Sequence, residues 1–129
     1  MPMLFRYLIS IYPEPTDGQA GYRLETVKSS SSNSIDMRLF KERLKKNIDA
    51  GYPLYYTFDN SKMYLGRSGE HNVIGIGYEL NSDASDIIGV YYIDPSYTVQ
   101  DPVYGGLKKV TPQELLAAML TCQEPYYAW

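Results

Sequence analysis

The spacing of apolar and polar positions predicts two amphipathic helices. Over residues 35–50 the apolar positions recur every three or four residues and the opposite face is charged, and Gly51 follows where a left-handed C-terminal cap is common. Over residues 112–121 a second helix is predicted, because Thr111 is a capping hydroxyl, Pro112 fits the first helical position and Glu114 completes a capping box. The apolar face of the first helix comprises Met37, Phe40, Leu44 and Ile48.

Apolar runs bounded by turn residues predict the strands. They lie at residues 4–12, 22–27, 52–58, 71–80 and 86–94. Turns are predicted at residues 13–18 and 59–62, a short strand or loop at 63–65, and a loop over 96–106. Two helices packed on one antiparallel sheet make the predicted fold α+β.

The hairpin formed by residues 71–80 and 86–94 places two polar side chains together. A tight turn centred near Ser82 and Asp83 pairs residues whose numbers sum to about 165, so His71 faces Asp94. A shift of one residue would move one of the two side chains to the other face of the sheet. The sequence therefore predicts an imidazole beside a carboxylate, provided that the turn is tight.

Length and charge limit the class of protein. The chain has 129 residues, of which 44% are hydrophobic and 21% are charged, as expected for one globular domain spanning residues 1–129. A net charge of −3 without a basic stripe gives no reason to expect a nucleic-acid partner. There is no apolar run of about 18 residues and no recognisable signal peptide, so we expect a soluble protein, cytoplasmic or exported by another signal, with no membrane partner.

The sequence predicts no cofactor and no metal. It contains one cysteine, Cys122, and one histidine, which leaves no disulfide framework and no thiolate zinc cluster. Gly75 and Gly77 lack the third glycine and the following helix of a dinucleotide-binding fingerprint.

Tyrosine is unusually frequent, with 14 copies against 3 phenylalanines and 1 tryptophan. Most of these tyrosines suit half-buried strand positions, where the ring is covered and the hydroxyl is wet. Residues 55–56 and 126–129 are the candidates for a surface that contacts a protein partner.

His71 and Asp94 are candidates for a base and its orienting acid. A neutral imidazole takes a proton from a thiol or hydroxyl, and a carboxylate on its other nitrogen fixes the tautomer. A structural histidine and an Asp-Pro turn are the alternative interpretation. Ser68, Ser96 and Thr98 lie near the strand ends as candidate hydroxyl nucleophiles, but none has a supporting motif.

Three segments resemble the C-terminal half of papain-like cysteine peptidases, nearest the double-glycine-leader peptidase-like branch. They are residues 71–78, 92–95 and 110–115, and residues 50–54 add a helix end followed by a Gly-x-Pro strand. The resemblance covers residues 35–121. It implies a papain-like antiparallel sheet or half-barrel, partial relative to the family, with His71 and Asp94 as the base and orienting acid of an amide acyl-transfer site.

The sequence departs from the papain-like pattern at the nucleophile. In that family a cysteine opens a long helix well before the histidine, and no cysteine precedes His71. The thiol would come from a second chain or another segment, or from Cys122 in a permuted order similar to lecithin:retinol acyltransferase-like proteins. Cys122 follows the end of a helix, where the helix dipole raises a thiol pKa, so it is the weak candidate.

Several functions stay open from the sequence. One is a cysteine peptidase-like enzyme, or a papain-fold toxin or effector that deamidates glutamine. Another is a pseudoenzyme that binds protein, and the last is an unrelated tyrosine-rich interaction domain. The partner is a protein or peptide in each case. Side chains of His71 and Asp94 within hydrogen-bond distance would favour the papain-like alternatives, and opposite faces would exclude them.

Overall fold

A computed structural model describes residues 21–129, which form one antiparallel sheet flanked by helices. Within this range the sheet has six strands in the order β1-β6-β2-β3-β4-β5, and each neighbouring pair is antiparallel. The strands are β1 (Leu24–Thr26), β2 (Leu54–Asp59), β3 (Glu70–Leu80), β4 (Ile87–Ile93), β5 (Leu107–Val110) and β6 (Tyr126–Ala128). The helices are α1 (Ile35–Asp49), α2 (Asn60–Met63) and α3 (Pro112–Leu120), with a 3₁₀ turn at Tyr97–Val99. The α+β class and the papain-like antiparallel sheet with two flanking helices are confirmed.

Both long helices begin and end close to their predicted bounds. The hydroxyl of Ser34 accepts a hydrogen bond from the Met37 amide at 3.1 Å and caps α1, and Gly51 follows its end with a φ of +90°. Thr111 and Glu114 form the predicted capping box of α3. The strand predicted at residues 4–12 and the turn at 13–18 lie outside the described residues.

The core lies between the helices and the central strands, and it includes tyrosines that were predicted to be surface. The ring of Phe40 on α1 meets Tyr56 and Tyr127 edge to face, with centroids 5.7 and 5.1 Å apart. Tyr56 and Tyr127 are buried because their rings lie on the face of the sheet that α1 covers, so the prediction of a contact surface at residues 55–56 and 126–129 is wrong for these two tyrosines. Tyr55 remains 45% exposed.

The segment between β2 and β3 differs from its prediction. Residues 59–62 were expected to form a turn, and Asn60–Met63 forms a single helical turn, α2, instead. Asp59 accepts from the Ser61 amide at 2.9 Å and caps this turn. Residues 63–65 form no strand, which agrees with the loop alternative of their prediction.

The strand β5 was not predicted. It directly follows the 96–106 loop.

The predicted register of the β3–β4 hairpin is wrong by two residues at the end near His71. Ile74 pairs with Ile93, so the residue numbers sum to 167 there, and a register shift between Gly75 and Gly77 changes the sum further on. The cause is a longer loop, since Leu80 pairs with Ile87 and Ala84 adopts a φ of +60° inside the loop. Near His71 the shift is even, so His71 and Asp94 keep their predicted face of the sheet, whereas from Gly77 to Glu79 the paired numbers sum to 168 and the shift is odd.

Candidate active site

His71 lies near the start of β3 and packs against an aromatic side chain of β2. It pairs with Phe58 across the sheet, and the two rings meet edge to face with centroids 5.8 Å apart. Phe58 is fully buried, whereas 22% of the His71 side chain is exposed. One side of the imidazole is therefore fixed by packing while part of the ring stays accessible.

Asp94 comes directly after β4 and is held by the strand next to it. Its amide donates to the carbonyl oxygen of Gly106 at 2.8 Å, just before β5 begins. A Cβ atom on residue 106 would overlap the carbonyl of Asp94, so glycine is required for this close approach. The carboxylate that this backbone presents has no exposed surface.

The two side chains meet in a hydrogen bond. His71 Nε2 and Asp94 Oδ1 are 2.7 Å apart, which confirms the predicted contact. The Ser96 amide also donates to Oδ1, at 2.9 Å, and the Tyr64 hydroxyl donates to Oδ2 at 2.6 Å. An ionised carboxylate only accepts hydrogen bonds, so Nε2 carries a proton and the neutral ring has its lone pair on Nδ1.

The carboxyl group of Asp94 is held in its ionised form. Burial acts to raise its pKa, but the hydrogen bonds from Tyr64, His71 and Ser96 act in the opposite direction and prevail. The pKa of Asp94 therefore lies below its usual value. At neutral pH this places a negative charge next to the imidazole.

Two tyrosines at this site were not predicted from the sequence. The hydroxyls of Tyr64 and Tyr92 are 2.9 Å apart, and Tyr64 also contacts Asp94. Burial is the main cause that raises the pKa of both phenols, which keeps them protonated donors. Tyr64 follows α2 in a segment without regular structure, so nothing in its sequence context distinguished it from the other tyrosines.

A small open cleft surrounds the accessible side of His71. Its volume is about 80 Å³, and its walls come from α2, the loop that follows α2 and the segment after β4. The loop after α2 is joined to the segment after β4 by a hydrogen bond, which the Arg67 guanidinium donates to the Thr98 carbonyl at 3.1 Å. No hydrogen-bond partner of His71 Nδ1 occurs among residues 21–129. The lining side chains are Asn60, Tyr64, Arg67, His71, Asp94, Ser96, Thr98 and Val99.

The candidate hydroxyl nucleophiles are not bonded to the imidazole. Ser96 Oγ and Thr98 Oγ1 line the cleft but are 2.8 Å from each other. Ser68 is not among the cleft residues, although its carbonyl accepts from Asn60. The structure thus brings His71 and Asp94 together without adding a serine or threonine.

Cys122 lies apart from this cleft. It follows α3, it is 7% exposed, and its Sγ contacts the Ala118 carbonyl at 3.8 Å. Burial, together with the carboxylates of Glu70 and Asp59, raises the pKa of the Cys122 thiol to about 11. The thiol is a poor nucleophile at neutral pH, because the thiolate is the reactive form.

Two further observations concern metals and membranes. Across residues 21–129, no three His, Cys, Asp or Glu side chains are grouped so that they could hold a metal ion. No helix within the same range combines the length and the apolar character needed to cross a bilayer.

Comparison with models of protein families gives a match that covers most of the chain. The model of the Peptidase_C39 like family matches residues 6–118, a range that contains His71 and Asp94 and ends before Cys122. Searches of curated proteins and of solved structures gave no match.

Proposed function

The chain belongs to the Peptidase_C39 like family, and we propose that His71 and Asp94 serve a papain-like amide acyl-transfer site as general base and orienting acid. The observation that carries this proposal is the 2.7 Å hydrogen bond from Nε2 to a fully buried carboxylate. With Nε2 occupied, Nδ1 is the nitrogen that is available to move a proton.

In the first half of the proposed reaction, Nδ1 moves a proton twice. It takes the proton of an attacking thiol, whose sulfur forms a bond to the carbonyl carbon of the amide. The imidazolium then returns that proton to the leaving amine as the carbon–nitrogen bond breaks. Ionised Asp94 stabilises the imidazolium between the two transfers. Water later replaces sulfur on the acyl group by the same base catalysis, which regenerates the thiol.

We propose that the thiol comes from a cysteine outside these 129 residues. No cysteine precedes His71, and Cys122 has a raised thiol pKa and does not line the cleft. A second chain or another segment that carries a cysteine would supply the nucleophile. The substrate class is a peptide or protein amide, either a main-chain bond or, in a deamidase-type effector, a glutamine side chain.

A small thiol added in solution tests this assignment. The full chain is mixed with a peptide p-nitrophenyl ester and cysteamine, and the release of nitrophenolate is followed. We expect thiol-dependent acyl transfer that falls in His71→Gln by about 100-fold, the lower end of general-base contributions. Asp94→Asn should also lose rate, whereas Asp83→Asn, on the exposed β3–β4 loop, is the matched control. Equal rates in all four proteins would reject the proposal.

The second candidate is a pseudoenzyme that binds peptides. It is favoured by the absence of a cysteine before His71 in this sequence. If the protein is a pseudoenzyme, calorimetry should give the same peptide affinity for wild type and for His71→Gln. The assay above should then show no thiol-dependent acyl transfer. Release of ammonia from a glutamine peptide would identify the deamidase-type alternative.

A further inference from the structure

A chain of two hydroxyls ends on the carboxylate oxygen of Asp94 that His71 does not use. Tyr64 donates to Asp94 Oδ2 at 2.6 Å, and the hydroxyls of Tyr64 and Tyr92 are 2.9 Å apart. A hydroxyl has one proton to donate. Because Tyr64 gives its proton to the carboxylate, Tyr92 must be the donor in the second bond. The direction of the chain is therefore Tyr92 to Tyr64 to Asp94.

We propose that Tyr64 is a positioning residue of the proposed acyl-transfer site, which acts on His71 through Asp94. Its hydroxyl occupies Oδ2, so that Oδ1 remains directed at Nε2 of the imidazole. This inference rests on the proposed function, since it gives Tyr64 a role in fixing the tautomer of the base.

Burial makes the Tyr64 hydrogen bond hard to replace. The Asp94 side chain has no exposed surface and Tyr92 is 2% exposed, so bulk water does not reach Oδ2. A buried carboxylate oxygen that loses its donor is destabilised, because no hydrogen bond then offsets the free energy of its desolvation. The bond from Tyr92 polarises the Tyr64 hydroxyl and makes it a stronger donor. The two tyrosines therefore act in series, and Tyr64 makes the direct contact.

One buried ring contacts all three ring side chains of this network. Phe58 meets Tyr64, His71 and Tyr92 edge to face, with centroid distances of 6.1, 5.8 and 5.6 Å. Phe58 is fully buried on β2. Tyr64 is thus fixed both by this contact and by its place after α2, and its hydroxyl is set before any substrate binds.

The variant Tyr64→Phe tests the inference, with Tyr92→Phe as the matched control. Both remove one hydroxyl and keep the ring, but only the first removes a donor to Asp94. We expect Tyr64→Phe to raise the pKa of Asp94 by about one unit or more. The carboxyl ¹³C chemical shift of Asp94, recorded as a function of pH, measures this pKa. The expected shift in Tyr92→Phe is smaller. The single histidine gives one set of ring ¹⁵N signals, which in Tyr64→Phe should change from one tautomer to a mixture.

The outcomes separate this inference from the proposed function. An Asp94 titration and a His71 tautomer that are both unchanged in folded Tyr64→Phe would overturn the role of Tyr64. A wild-type ring that is not in the Nε2–H form would instead overturn the proposed function. If Tyr64→Phe does not fold, 3-fluorotyrosine at position 64 provides a more acidic donor. It should lower the Asp94 pKa, and no change would again overturn the inference.

Discussion

The imidazole of His71 meets the carboxylate of Asp94 diagonally across the β3–β4 hairpin. The ladder pairs Ile74 with Ile93, and its continuation would place His71 opposite residue 96. Diagonal neighbours share a face of the sheet and have Cα atoms about 7–8 Å apart, which two polar side chains can bridge. The 2.7 Å contact therefore depends on how the backbone of Asp94 is held just beyond β4.

Gly106→Ala should disturb that backbone. The added Cβ would overlap the Asp94 carbonyl, which is main chain and cannot rotate away. We expect the free energy of unfolding to fall by about 1–3 kcal/mol in urea denaturation. Gly77→Ala is the control, because its Cβ would lie 3.6 Å from Tyr91, an ordinary contact. Equal stabilities of the two variants would show that the close approach at residue 106 is not needed.

The stability of the protein should depend on pH through Asp94. Its pKa is lowered in the folded state, so the ionised carboxyl stabilises the fold above the unfolded pKa of about 3.9. This contribution is lost as the pH falls through the lower, folded pKa. In chemical denaturation, the free energy of unfolding of Asp94→Asn should therefore be about 2 kcal/mol lower than that of wild type at pH 7. This gap should narrow towards pH 2. The exposed-loop control Asp83→Asn should stay within about 0.5 kcal/mol of wild type. A gap for Asp94→Asn that is constant with pH would contradict the ionised, hydrogen-bonded carboxylate.

Cys122 should react slowly with alkylating reagents. With a thiol pKa of about 11 the folded protein holds little thiolate, and iodoacetamide at pH 8 should label it about 100-fold more slowly than the urea-unfolded chain. Mass spectrometry of intact protein gives both rates. Rapid labelling of the folded chain that is lost in His71→Gln would instead identify Cys122 as the nucleophile of a permuted site.

Much of the fold could be predicted because local signals were strong. The cap at Ser34 and the capping box at Thr111 set the helix starts, and periodicity identified their buried faces. The contact of His71 with Asp94 was predicted for a partly wrong reason. The loop is longer than assumed, but an error of two residues preserves the face on which each side chain lies.

The parts that could not be predicted depend on distant contacts. The strand β6 has only three residues, which is too short for a periodic pattern to show in the sequence. It forms because it pairs with β1 and β2, which lie far from it in the chain. Tyr64 belongs to a segment without regular structure, and only the packing of Phe58 shows why its hydroxyl reaches Asp94. Sequence patterns report local geometry, whereas this network joins β2, β3, β4 and the segment after α2.

The tautomer of His71 is the most direct test of the proposed base. A long-range ¹H–¹⁵N correlation spectrum, recorded without a histidine tag and at a pH where the ring is neutral, reports which nitrogen carries the proton. We expect a single Nε2–H tautomer in wild type, with an unprotonated Nδ1, and a mixture of tautomers in Asp94→Ala, which removes the acceptor altogether. A predominant Nδ1–H form, or identical spectra for the two proteins, would contradict it.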